Sequence, residues 1–280
     1  MNTTLTIKEL LYEAENKLTN SDSARLDAEV LLCNVLDFDR SKLYSSSGSF
    51  VTAESANQYM SLIQERQSGK PFAYLTGVRE FWSIEFQVNE YTLIPRPETE
   101  CLVEAALELI PENPELNIAD LGTGSGAIAI AIAHERPRCK IIATDICDHA
   151  LAVAVKNAAR LGVNNIQFIK SDWYANMEGS FDVIVSNPPY IRNDDEHLLG
   201  DGVAHEPRLA LCGGVDGLDA ICNIISNAGR YLNKCGWLVI EHGFDQAQAV
   251  RSLLKNNGFI NIKTRRDYAG VDRVTMGKRD

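Results

Sequence analysis

Residues 117–133 constrain this 280-residue chain more than any other stretch. Asn117-Ile-Ala-Asp-Leu121 is a short apolar run that reads as a buried strand. Gly122-Thr-Gly-Ser-Gly126 follows it, and Ala127-Ile-Ala-Ile-Ala-Ile-Ala133 reads as a small-residue helix that packs tightly on a sheet. A glycine loop between strand and helix lets backbone approach a ligand closely. The alternation continues downstream. Strands are expected at 139–144, 166–169, 181–186 and 236–240, helices near 149–161, 218–232 and 246–256, and two last strands near 260–263 and 273–276. Together they predict an α/β fold: a doubly wound, mostly parallel seven-stranded sheet with an antiparallel edge. The stretch 191–216 carries no regular pattern.

The first eighty or so residues read as helical. Thr6-x-x-Glu9 is a capping box, with Ile7, Leu10, Leu11, Ala14 and Leu18 at helical spacing behind it. Ser23 is a candidate cap for a second helix, whose apolar positions are Leu26, Val30, Leu31 and Val35. Thr52 opens a third, ended by Gly69-Lys-Pro71. The chain then reads as a helical domain over 1–78, a β-hairpin linker over 79–94 and a larger domain over 95–280. In the linker, Glu80 to Val88 alternates, Asn89-Glu90 is the turn candidate, and Tyr91 to Ile94 pairs back. Pro97 sits where the next helix starts, and the Pro-Arg-Pro entry holds Arg96 stiffly at its mouth. That arginine suits the wall of a site or a structural salt bridge.

Charge and cysteines narrow the function. A net charge of −11 argues against affinity built on neutralising phosphates, so no stable nucleic-acid binding is expected, and a basic protein partner would fit. Seven dispersed cysteines without a Cys-x-x-Cys pair fit reduced cytoplasmic thiols rather than a zinc site, and no metal is expected. No run approaches the ~18 apolar residues of a membrane span, and the first residues lack a signal peptide's basic and apolar regions.

Ser186-Asn-Pro-Pro-Tyr190 follows the strand 181–185 and cannot continue it. Pro188 and Pro189 lack N–H donors, and Pro188 keeps Asn187 out of helical geometry. The result is a stiff lip at a strand's carboxyl end, where open α/β sheets place their ligands. It offers the Asn187 amide, free carbonyls and the Tyr190 ring. These suit a flat, hydrogen-bonding group, an amide or a base.

Gly122-x-Gly124-x-x-Ala127, with Asp145 about twenty residues on, fits the relaxed dinucleotide fingerprint. Dinucleotide and S-adenosylmethionine enzymes share that pattern, because in both an acid after the second strand accepts from ribose hydroxyls. Asp120 favours the second class. It is unhelpful beside a pyrophosphate and welcome beside an ammonium and a sulfonium. Asp172-Trp173 ends the third strand, where an acid and an aromatic can bracket an adenine; a core role for Trp173 fits equally.

These residues carry a resemblance. The larger domain resembles class I, Rossmann-like S-adenosylmethionine-dependent methyltransferases of the Asn-Pro-Pro-Tyr group. The whole chain resembles the protein-(glutamine-N5) methyltransferases of peptide-chain release factors, the PrmC/HemK family. The matching residues are Ala24 to Leu32, Arg66, Gly69 to Gly77, Glu80-Phe81, Leu93 to Glu100, Asp120 to Gly126, Ser186 to Tyr190, Glu206 to Leu211 and Gly213 to Gly217. His205 departs from the aromatic that relatives often carry. The resemblance implies that Asp120, Gly122, Thr123, Gly124, Ser125 and Gly126 hold the methionine part of S-adenosyl-L-methionine, Asp145 the ribose, and Asp172 with Trp173 the adenine. It implies that Asn187, Pro188, Pro189 and Tyr190 form the catalytic lip, with Asn187 beside the cofactor too and Arg96 at the substrate. The expected substrate is the Gly-Gly-Gln glutamine of class-1 release factors, docked by the helical domain of a cytoplasmic monomer. Asn187 and the Pro188 carbonyl can accept both protons of a glutamine amide, whose nitrogen is a weak nucleophile, and no strong base is needed before attack.

Overall fold

The alternation that begins at Asn117 folds into one seven-stranded sheet in the computed structural model, which describes residues 5–19, 21, 23–112, 115–200 and 202–280. The first residues, weighed above as a signal sequence, lie partly outside them. The chain divides into two compact units. One runs to Gly77 and includes Leu199–His205; the other holds Val78–Leu198 and Glu206–Asp280.

The first unit contains α1 (Ile7–Lys17), α2 (Ala24–Leu36), α3 (Arg40–Ser45), α4 (Ala53–Gln67) and α5 (Phe72–Thr76). Thr6 and Glu9 form the expected capping box, and Thr52 accepts from the Ser55 N–H at 3.2 Å to start α4. Ser23 does not cap α2; its hydroxyl donates to Asp27 at 2.9 Å. The buried side of α2 also differs from the expected stripe. Leu26 is exposed, while Asp27 and Glu29 are buried. Pairing explains this. Glu29 accepts from Arg25 at 2.5 Å, Arg40 at 2.7 Å and Tyr44 at 2.5 Å, and Asp27 accepts from Arg66 at 2.9 Å. A carboxylate stripped of water persists only with such partners. His205 faces the Ser68 carbonyl at 3.1 Å.

The second unit opens with the antiparallel hairpin β1 (Val78–Phe81) and β2 (Ile84–Gln87). The expected pairing of 80–88 with 91–94 does not form. The chain turns instead at Trp82-Ser83, both left-handed at φ 56° and 55°, the twist a two-residue hairpin turn needs. Trp82 compensates for the absent glycine. Its backbone N–H donates to Glu100 at 2.8 Å and its indole N–H to Glu135 at 3.0 Å.

A 3₁₀ turn at Pro97–Thr99 leads into α6 (Glu100–Leu109). Then follow β3 (Asn117–Leu121), α7 (Ala127–Glu135), β4 (Lys140–Asp145), α8 (Asp148–Arg160), β5 (Ile166–Lys170), β6 (Phe181–Ser186), α9 (Asp219–Tyr231), β7 (Leu232–Glu241), α10 (Ala247–Asn256), β8 (Phe259–Arg266) and β9 (Asp272–Arg279). The strand order is β5-β4-β3-β6-β7-β9-β8. The first five run parallel; β9 is antiparallel to β7 and β8. The β8–β9 pairing slips twice, and Asn261 in β8 has a φ of 53°. Strand order reverses between β3 and β6, where such sheets open a crevice at their carboxyl ends. Leu121 pairs with Ser186 there, and the Ser186 hydroxyl donates to the Leu121 carbonyl at 2.7 Å. The glycine loop and the Asn-Pro-Pro-Tyr lip therefore leave the sheet side by side.

All seven residues of Ala127 to Ala133 are buried, as a helix pressed on a sheet by small side chains requires. Gly126, at φ 84°, starts that helix against α8; a Cβ there would lie 3.1 Å from that of Ala154 and 3.0 Å from the Ile130 methyl. Gly126→Ala is expected to lower the unfolding free energy by about 1–3 kcal/mol, read from urea denaturation.

Candidate active site

Gly122, Gly124 and Gly126 are all left-handed, at φ 75°, 55° and 84°, so the loop doubles back without side chains in the way. The N–H groups of Gly122 and Thr123 both donate to the Thr144 carbonyl of β4, at 2.9 and 2.8 Å. Asp145, ending β4, then accepts from the Gly124 N–H at 2.8 Å and the Cys147 N–H at 2.9 Å. Burial raises its pKa, and those N–H groups pull it back down. Two of about four lone-pair sites on its carboxylate are spent on the loop, leaving the others for a ligand's hydroxyls.

These groups line a cavity of about 250 Å³. Gly122, Gly124, Asp145, Asp172, Trp173, Asn187 and Pro189, all candidate site residues, border it together. A Cβ on Gly122 would touch the Trp173 ring at 3.4 Å, so the indole closes on bare backbone; one on Gly124 would enter open space. Trp173 also packs on the buried cluster beneath β3, β6 and β7, the core role weighed for it.

Other expected residues lie elsewhere. Thr123 and Ser125 are buried in the loop, and Gly126 is spent on helix packing. Asp120 is wholly buried below the loop, where the Thr123 hydroxyl donates to it at 2.7 Å. Burial pushes its carboxyl up to about 7, and its second oxygen has no hydrogen-bond partner among the described residues. Arg96 does not border the cavity. It pairs with buried Glu206 at 2.5 Å, and Glu206 also accepts from the Ile94 N–H at 3.0 Å. Tyr190 does not border it either. Its ring packs on the core, and its hydroxyl donates to Glu241 at 3.2 Å. Pro188 is buried, and no described donor reaches its carbonyl.

Asn187 is held by a residue the sequence did not single out. Its Nδ2 donates to the Thr99 hydroxyl at 3.0 Å, from the 3₁₀ turn that Pro-Arg-Pro sets up. Its Oδ1 has no hydrogen-bond partner among the described residues, and the side chain borders the cavity. The stretch after the lip also proves ordered. Ile191 bridges Cys212 in parallel, with Ile191 N–H to the Leu211 carbonyl at 2.9 Å and Gly213 N–H to the Ile191 carbonyl at 2.8 Å. That ladder brings Pro207, Leu209 and Cys212 to the cavity wall. Gln246 donates to the carbonyls of Tyr190, at 3.0 Å, and Gly217, at 3.2 Å. Glu241, Thr99 and this ladder were missed; an acid at the end of the fifth parallel strand, as with Asp145 at the end of β4, was the available signal for Glu241.

The chemistry of the wall is selective. Among the described residues, two carboxylates and no lysine, arginine or histidine border the cavity. Such a lining repels pyrophosphate and attracts a cation.

Residues 9–77 match the PrmC N-terminal domain family and residues 100–205 the Methyltransferase small domain family. The chain is 45% identical to a release factor glutamine methyltransferase of Salmonella typhimurium, over 96% of this chain and 97% of that one. It is 44% identical to one of Aliivibrio fischeri, over 98% of each. A Pyrococcus furiosus methyltransferase of known structure shares the fold, with a TM-score of 0.54 at 17% identity over 79% of this chain and 97% of that one. The near full-length match at this identity places the chain in the release factor glutamine methyltransferase family.

Proposed function

We propose that this chain methylates the side-chain amide nitrogen of the Gly-Gly-Gln glutamine of class-1 peptide-chain release factors, with S-adenosyl-L-methionine as donor. The observation that carries this is the Asn187 amide. Thr99 ties back its nitrogen, so its oxygen is offered to the cavity. That oxygen and the Pro188 carbonyl accept the two N–H protons of a glutamine amide. They orient the nitrogen and favour the positive charge that grows on it as it attacks.

The cavity fits the donor. S-Adenosylmethionine, when bound, supplies an electrophilic methyl on a sulfonium. The Gly122–Gly124 backbone admits its close approach, the remaining Asp145 lone pairs suit ribose hydroxyls, and Asp172 with Trp173 flank the adenine side. The acidic wall of Asp145 and Asp172 suits its ammonium and sulfonium charges. Arg96 contributes by holding Glu206, and through it the 206–217 wall. The helical unit is the proposed docking surface for the release factor. Among the described residues no helix is long and apolar enough to cross a membrane.

Mass spectrometry of a release factor incubated with the protein and S-adenosylmethionine tests the reading. The expected result is one added methyl on the Gly-Gly-Gln peptide, abolished when its glutamine is changed to alanine. Methyl incorporation that survives that change would sink it.

A further inference from the structure

Among the described residues two aromatic ones border the cavity, Trp173 and Tyr91, and the reading above uses only the first. Tyr91 lies between the hairpin and the 3₁₀ turn, in the stretch where a returning strand was expected. An Asx turn fixes its backbone instead. The Asn89 side-chain oxygen accepts from the Tyr91 N–H at 3.1 Å, and the Asn89 carbonyl accepts from the Thr92 N–H at 3.0 Å and the Thr92 hydroxyl at 3.1 Å. Thr92 is buried and anchors the turn, while Tyr91 and Leu93 on either side of it border the cavity.

The Tyr91 ring has a second hold. It stacks on the His149 imidazole, with centroids 4.4 Å apart and planes 30° apart. His149 is the second residue of α8, and in sequence it stands between two cavity residues, Cys147 and Ala150. The stack therefore ties the 89–93 segment to the loop that Asp145 opens. Asp145 carries the lone pairs assigned above to the ribose, so Tyr91 stands at the nucleoside side of the cavity. It is nonetheless 43% exposed. A ring fixed through its backbone and through one face, yet left open at a cavity's edge, has surface to bury against a ligand and little freedom to lose in doing so.

We propose that Tyr91 is a further cofactor-binding residue, whose ring covers the nucleoside half of S-adenosylmethionine, and that His149 positions that ring. The inference rests on the methylation reading and deepens its donor site with two side chains outside the glycine loop and the lip. Such a cover meets donor and product alike. It is uniform binding, which sets affinity and leaves the barrier to methyl transfer unchanged.

The test is titration calorimetry with adenosylhomocysteine and with methylthioadenosine, which keeps the nucleoside and lacks the amino-acid part. The proteins are wild type, Tyr91→Ala, Tyr91→Phe, His149→Ala and the Tyr91→Ala/His149→Ala double variant. Both side chains are exposed, so the variants should fold. Tyr91→Ala is expected to weaken both ligands by the same factor, about 10-fold, and Tyr91→Phe to stay within about 3-fold of wild type, because the ring makes the contact. His149→Ala should weaken them about 3-fold, and the double variant should bind as Tyr91→Ala does, since His149 acts through the ring. With a release factor as substrate, KM for the donor should rise in step while kcat stays within about 2-fold. An unchanged adenosylhomocysteine affinity in Tyr91→Ala, a loss that spares methylthioadenosine, or losses that multiply in the double variant would overturn the proposal. Absence of adenosylhomocysteine binding by the wild type itself would instead count against the underlying donor assignment.

Discussion

Asn187→Ala is expected to slow methyl transfer by about 10²–10³-fold while adenosylhomocysteine binds with nearly wild-type affinity. The split follows from where its groups point. Asn187 borders the cavity, but the groups proposed to face the cofactor are the Gly122–Gly124 backbone, Asp145 and Trp173, each held by its own contacts. Removing the amide leaves those in place. It deletes an acceptor that opposes the substrate nitrogen and strengthens as that nitrogen becomes positive. An interaction made in the transition state lowers kcat and kcat/KM together. The loss corresponds to about 3–4 kcal/mol of barrier. Stability should change by only about 1 kcal/mol, since one hydrogen bond to Thr99 is lost. Single-turnover kinetics beside titration calorimetry make the measurement. A rate within a few-fold of wild type, or a parallel collapse of cofactor affinity, would contradict the assignment.

Gly217→Ala should be nearly as damaging without touching the cavity. Gly217 is left-handed at φ 76°, and a Cβ there would stand 2.3 Å from the Tyr190 carbonyl oxygen and 2.6 Å from the Gln246 amide nitrogen. Neither can yield cheaply, because Gln246 is the group that pins the Tyr190 carbonyl. The lip must move. A displacement of about 1 Å in a positioning element can cost about 10²-fold in rate. The strained backbone adds a stability loss of about 1–3 kcal/mol. Gly179→Ala is the control. Its φ of 87° carries the same strain, yet nothing lies within 4 Å of its Cβ. It should destabilise the protein without changing the rate of the folded fraction. Equal rate losses in both variants would show that strain alone, and not the lip's position, sets the rate.

What the sequence could show was what lies close along the chain. The apolar runs, the glycines of 122–126 and the paired prolines of 188–189 act through their immediate neighbours, so the sheet, the loop and the lip were all legible. Thr99 was not, because its partner Asn187 is 88 residues away. Glu241 hid for the same reason, meeting Tyr190 across 51 residues. The hairpin was misplaced because Trp82 takes a conformation normally left to glycine, stabilised by carboxylates on two distant helices. On α2 the apolar stripe misled, since Glu29 and Asp27 are buried with Arg40 and Arg66, 11 and 39 residues away, as partners. Arg96 stood open between two roles, and Glu206, 110 residues on, answers it with a salt bridge.

The irregular β8 edge bears on solubility. An open sheet ends in strands whose unpaired backbone invites a second molecule to add on. β8 is one such end, and it is a poor template: its pairing with β9 slips at two places, and Asn261 twists out of register. A neighbouring strand would meet mismatched hydrogen bonds. A chain that must keep its sheet ends open while presenting a crevice to a large protein substrate thus discourages the wrong protein, another copy of itself, from zipping onto that edge.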